Sequence, residues 1–197
     1  MATSGPNFGG ALAFSAAGNV VSDPWQNSST TSQTTAGVLA ALNVNDTIKA
    51  DTSFDRSGGE DTTATIDLTT FGLSTSGTIN GITVTFDAKI RSLSTLTVQL
   101  LSAGSTVGTA KTMTTAQILG TPFSLGSVAD TWGWAGVSSS LINASTFGIR
   151  FNITTSSNSL SGNPHISINY ITITITYTVA GGETQTVVTQ IPSTMMW

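Results

Sequence analysis

A lone histidine, ten carboxylates and four tryptophans are the residues of this chain best equipped for chemistry. His165 directly follows Pro164. A Ser-His-Asp relay needs the imidazole beside an activated hydroxyl, and a nucleophilic serine of the hydrolase kind is marked by a G-x-S-x-G turn. No such turn occurs among the 26 serines. The expectation is a solvent-edge histidine in a protein that is not an enzyme. A carboxylate pair for glycoside hydrolysis is set by tertiary proximity, which spacing along the chain does not reveal.

The acidic loop is a second candidate. Asp51, Ser53, Asp55 and Ser57 place side-chain oxygens at alternate positions, with Glu60 and Asp61 close behind. Calcium is held by such oxygens when a loop curls around it. Asp51, Asp55 and Asp61 are therefore candidate calcium ligands, and no other cofactor is expected. The loop is not an EF-hand: Arg56 stands where the sharp-turn glycine belongs, and the bidentate glutamate is missing at its place. The alternative is a solvated turn in which Asp51 or Asp55 pairs with Arg56 or caps backbone amides.

Trp132 and Trp134 flank Gly133. On an extended segment both rings lie on one face, where they can cover one end of a core. The alternative is a sugar platform, with Trp25 and the amides of the 158–163 segment helping to bind a glycan. The chain ends on Met195, Met196 and Trp197, an apolar group whose burial is favourable at about 25 cal/mol per Å². Two homes for it stay open: a neighbouring subunit, or the chain's own domain.

The elements that must position these residues are strands. In HISINYITITITYTV, residues 165–179, apolar and hydroxyl side chains alternate, and the alternation changes parity at Asn169-Tyr170. Successive strand side chains point to opposite faces, so a parity change implies a β-bulge. Strands are also predicted over Val20–Trp25, Thr63–Phe71, Ile79–Ile90, Leu93–Leu101, Val107–Met113 and Phe147–Ile153. Asn80-Gly81 suggests a positive-φ turn or bulge. SSSLIN, from Ser138 to Asn143, fits a single helical turn capped by Ser138 or Ser139. Ala36–Lys49 reads equally as helix or strand. The fold class is all-β: an antiparallel β-sandwich of jelly-roll type. An N-terminal arm (1–19), a sandwich domain (20–180) and a C-terminal assembly tail (181–197) complete the predicted organisation.

Composition narrows the function. Charged residues are only 8% of the 197, against a usual share of about 25%. Polarity comes instead from 36 threonines and 26 serines, and threonine suits strands because its branched Cβ fits the pleat. A net charge of −4 with six scattered Lys and Arg argues against nucleic acid, which needs a basic patch. The absence of cysteine removes disulfides and thiolate chemistry. No Lys or Arg precedes Lys49, so the start lacks the basic stretch of a secretory signal. No apolar run approaches the roughly 20 residues of a membrane helix, so membrane insertion is not expected. The sequons at Asn27, Asn45, Asn143 and Asn152 carry weight only in a eukaryotic secretory route.

Four motifs, TINGITV (78–84), ADTWGW (129–134), LINASTFGI (141–149) and ITITITY (171–177), follow the early Asp23-Pro24-Trp25 in a fixed order. In that order the chain resembles β-sandwich structural proteins of tailed bacteriophages, of the tail-fibre, appendage or capsid-decoration type. The resemblance spans about residues 20–179; the region 26–60 and the C-terminal tail depart from it. It implies a non-enzymatic virion component, made in the host cytoplasm. Its sandwich would face outward and dock on neighbouring capsid or tail subunits through the arm and Met195, Met196 and Trp197, as a homo-oligomer. The competing expectations are a module that attaches to host-surface glycans through Trp132 and Trp134, and a bacterial surface domain.

Overall fold

The computed structural model describes residues 11–17, 25–27, 50–52, 62–90, 94–113, 121–155 and 166–190. The alternating segments become strands: β1 (Ala11–Ala17), β2 (Trp25–Asn27), β3 (Ala50–Thr52), β4 (Thr62–Thr69), β5 (Thr78–Ile90), β6 (Ser94–Ser102), β7 (Ser105–Met113), β8 (Phe123–Gly126), β9 (Gly148–Thr155), β10 (Ile166–Thr178) and β11 (Thr184–Gln190). One helical turn, α1 (Ser139–Ile142), precedes β9. Ser138 caps it, accepting from the Leu141 amide.

Two antiparallel sheets result. One runs β1-β4-β9-β6-β7, the other β2-β3-β10-β5-β8. The free side of β10 is shared: β3 pairs with it at Ser167 and Ile168, and β11 pairs with it from Thr172 to Thr178. Between the sheets lie Ile66, Leu68, Leu96, Val98, Leu100, Ile149, Phe151 and Ile153 from one side. From the other come Ile82, Val84, Phe86, Ala88, Ile168, Ile171, Ile173 and Ile175. Phe86 meets Phe151 edge-on across the interface, ring centroids 5.3 Å apart. Threonines between these core positions, such as Thr65, Thr83, Thr85, Thr97, Thr172 and Thr174, are partly exposed, so the protein is an all-β antiparallel sandwich, as the alternation implies.

The parity change is a bulge. Ile168 pairs with Ala88 and Ile171 with Phe86, so Asn169 and Tyr170 oppose the single residue Asp87. Ile168 and Ile171 thus both reach the core despite their odd spacing. Asn169 and Asp87 are buried beside each other, the amide nitrogen 3.4 Å from the carboxylate. Burial, with Asp87 adding its charge, pushes the Tyr170 phenol up from its ordinary value.

A second bulge leaves Asn80 between the pairs Thr176–Gly81 and Tyr177–Ile79, and its amide donates to Thr178 Oγ1 at 2.7 Å. Gly81 itself lies inside β5 without a positive φ. Glycine is required there by close approach: a Cβ would stand 2.3 Å from the Ser127 carbonyl oxygen.

The predicted boundaries shift at both ends. Ala11–Ala17, inside the expected arm, pairs residue by residue with Thr63–Thr69 as the edge of its sheet. Within the expected tail, Thr184–Gln190 folds back onto β10, and Thr189 Oγ1 donates to the Phe71 carbonyl at 2.8 Å. Met195, Met196 and Trp197 lie outside the described residues.

Candidate functional site

The two tryptophans do not share a face of an extended segment. Trp132 and Gly133 have φ of 60° and 65°, which turns the chain sharply between the rings. Trp132 is 1% exposed, and its indole Nε1 donates to the Ile82 carbonyl at 2.8 Å. The turn is fastened from both sheets. Ile82 N donates to Asp130 O at 2.9 Å, and Thr109 N of edge strand β7 donates to Trp132 O at 2.6 Å. Asp130 Oδ1 accepts from Trp132 N at 2.7 Å, while Oδ2 meets Lys111 Nζ at 2.7 Å. Lys111 Nζ also lies 5.0 Å from the centre of the Trp132 ring. Trp134, half-buried, stacks on Phe147 at 6.3 Å and 6°. The sugar-platform expectation is therefore corrected for Trp132: the ring is covered by protein and plugs the space between edge strands β7 and β8, close against Gly108 and Gly126.

The hydrogen bond from Lys111 holds the Asp130 carboxyl below its ordinary value of 3.8. A carboxylate whose folded pKa is depressed stabilises the fold above its unfolded pKa, and that contribution is lost as pH falls through the folded value. Asp130→Asn keeps an acceptor for the Trp132 amide and loses the charge. Between neutral pH and about pH 3 the variant is expected to lose less stability than the parent chain, as read by urea unfolding at each pH. Equal losses would remove Asp130 from the acid response.

The outer face of the β1-β4-β9-β6-β7 sheet carries a different arrangement. Register places Thr65, Asn152, Thr97 and Thr112 in one row across β4, β9, β6 and β7. The neighbouring row is Asp67, Arg150 and Gln99. Beyond Gln99 the β7 strand bulges, because Val98 pairs with Lys111 and Leu100 with Val107. Gln99 Nε2 donates to Gly108 O in that bulge at 3.1 Å.

Arg150 is clamped by Asp67: Nε and Nη2 donate to the two carboxylate oxygens, each at 2.6 Å. The carboxylate raises the guanidinium pKa from its ordinary value, and the two opposite charges lie in direct contact at 2.6 Å. Thr65 Oγ1 donates to Asn152 Oδ1 at 3.0 Å. Thr65, Thr97, Gln99, Thr106, Arg150 and Asn152 line a depression of about 280 Å³. Its size approaches the roughly 300 Å³ at which small-molecule sites begin.

Asp51 lies on β3, opposite Gln26 and Ser167. Asp55, Asp61 and His165 fall outside the described residues, as does the 158–163 segment. Among the described residues no three of His, Cys, Asp or Glu gather to hold a metal, and no helix is long and apolar enough to cross a membrane. The expectations from sequence missed Asp67, Gln99, Arg150 and Asn152. A signal was present: TIDLT and GIRFN each place one charge at an outward position of an apolar alternation. No protein-family model, curated protein or solved structure matches the chain.

Proposed function

We propose that the protein is a non-enzymatic structural component of a tailed-phage virion, a β-sandwich docked on neighbouring capsid or tail subunits as a decoration, tail or fibre part. The observation that carries this reading is where the four motifs of the resemblance come together. TINGITV supplies the start of β5 and ITITITY its partner β10, with Ile82 opposite Ile175. ADTWGW supplies the plug fastened to Ile82, and LINASTFGI supplies Phe147 beneath Trp134. Asn143, from that third motif, clasps Thr75 by accepting from its amide and donating to its carbonyl, each at 2.8 Å. Motifs spread over about a hundred residues thus build one joint of the framework. Such a shared joint is what related scaffolds need, whereas sites vary on top of them. The nearly uncharged, hydroxyl-covered strand faces suit a part that works by packing and display.

The test is physical association with particles. After density-gradient purification of phage from a lysate, the chain is expected to co-sediment at a fixed copy number per particle, counted by quantitative mass spectrometry. Recovery only in the soluble fraction would end the proposal. Removal of residues 191–197 takes away Met195, Met196 and Trp197 and leaves β11 whole. The shortened chain is expected to keep its unfolding midpoint and to lose incorporation about tenfold or more, the effect of about 1.4 kcal/mol of docking energy. Normal incorporation would remove those three residues from the docking surface.

A further inference from the structure

We propose that the depression around Arg150 on the outer face of the β1-β4-β9-β6-β7 sheet binds a neutral, hydroxyl-rich sugar unit. The site is independent of where the protein resides. Its lining is three threonine hydroxyls, two carboxamides and one guanidinium, and Asp67 cancels the guanidinium charge at 2.6 Å. A depression with no net charge has little Coulomb pull on phosphate or carboxylate. What it offers is hydrogen-bonding groups held in place.

Asp67 uses Nε and one hydrogen of Nη2, so Arg150 keeps Nη1 and a second Nη2 hydrogen as oriented donors. Gln99 is fixed through its nitrogen on Gly108 O, which leaves its Oε1 as an acceptor. Asn152 is fixed through its oxygen on Thr65 Oγ1, which leaves its Nδ2 as a donor. The Thr97 hydroxyl shares a hydrogen bond with Thr112 Oγ1 at 3.3 Å and keeps a lone pair or its proton for a ligand, while the Thr106 hydroxyl serves either way. A sugar hydroxyl both donates and accepts, so neighbouring hydroxyls on a ring match this interleaving of donors and acceptors. A simple anion uses acceptors alone and leaves Gln99 Oε1 unmatched.

The depression also differs from an ordinary hydroxyl-covered strand face. The β7 bulge at Gly108–Ala110 interrupts the flat pleat, and Gln99 is held against that bulge. No aromatic ring lines it; the apolar contacts come from threonine methyls and the Arg150 stem. Without stacking, affinity for one unit is weak, with a dissociation constant on the order of 1–10 mM. Presentation of many copies on one particle would multiply it through avidity.

The experiment is titration of the full ¹⁵N-labelled chain, followed by amide chemical shifts. Glucose, galactose, mannose and N-acetylglucosamine form one arm, glucuronic acid and inorganic phosphate the other, each up to about 100 mM. At least one neutral sugar is expected to shift Thr65, Thr97, Gln99, Arg150 and Asn152 together, and neither anion to bind more tightly. Thr97→Val keeps the strand-forming shape and loses one hydroxyl, so it is expected to weaken binding about fivefold. Arg150→Met is expected to weaken it more than tenfold. Thr174→Val, on the opposite sheet, is expected to leave binding unchanged. No shift with any neutral sugar, shifts centred elsewhere, tighter binding of an anion, or full affinity in Thr97→Val would each overturn the proposal.

Discussion

Trp132→Ala is expected to cost about 3–5 kcal/mol of folding stability, the range for removing a large buried aromatic. Three losses combine. The indole is among the largest fully buried side chains, so its removal leaves a cavity that the surrounding strands close only in part. The Ile82 carbonyl loses its indole donor, and an acceptor stranded in a buried setting costs about 1–3 kcal/mol. The positive φ at residue 132 also loses the packing that over-determined it.

Trp132→Phe separates these contributions, since it keeps most of the apolar volume and removes the Nε1–H. It is expected to cost about 1–3 kcal/mol. Urea unfolding followed by circular dichroism reads both values. Hydrogen exchange gives a local readout: the Ile82 and Thr109 amides, which bond to Asp130 O and Trp132 O, should lose protection ahead of the β10 amides. A cost below about 1 kcal/mol for Trp132→Ala would mean that the loop merely rests on the sandwich.

What the residues reveal in advance follows from where the information sits. The ITITITYT run shows its strand because every second position is apolar, and Ile168 followed by Ile171 shows the bulge as a change of parity. The helical turn at Ser139–Ile142 is legible because its cap, Ser138, is a local matter. The alternation does not predict β1, β3, β8 or β11 as strands. FSLG (Phe123–Gly126) and ADT (Ala50–Thr52) are too short to show a period, and what makes them strands is the partner waiting at the sheet edge.

The depression was hidden for a related reason. Asp67 and Arg150 are 83 residues apart, and only the β4–β9 register brings them opposite each other. The tryptophans depart from the common-face prediction because that prediction assumes extended backbone, whereas Trp132 and Gly133 have positive φ. A non-glycine residue with positive φ is uncommon, and here Asp130 accepting from Trp132 N fixes the turn that moves the rings apart.

The same joint sets the second large effect. Gly126 ends β8, pairs with Thr83 and has φ of 83°. A Cβ there would stand 2.1 Å from the Ile82 carbonyl oxygen and 2.6 Å from Trp132 Nε1. Ile82 O is the acceptor that anchors the indole, so Gly126→Ala pushes against the atom on which the plug depends. The left-handed backbone costs an alanine about 1–2 kcal/mol. The overlap adds to this, because backbone cannot rotate out of the way as a flexible side chain can. Gly126→Ala is therefore expected to cost about 3 kcal/mol or more, in the range of strain from overpacking added to the backbone cost. Gly104 provides the control: its φ is 78°, and a Cβ there would meet nothing within 4 Å. Gly104→Ala carries the backbone cost alone, about 1–2 kcal/mol. The excess of the first substitution over the second, read from urea unfolding midpoints at equal slope, measures the close approach of β8 to the Ile82 carbonyl. Equal costs would show that the strand end shifts freely and that the approach constrains nothing.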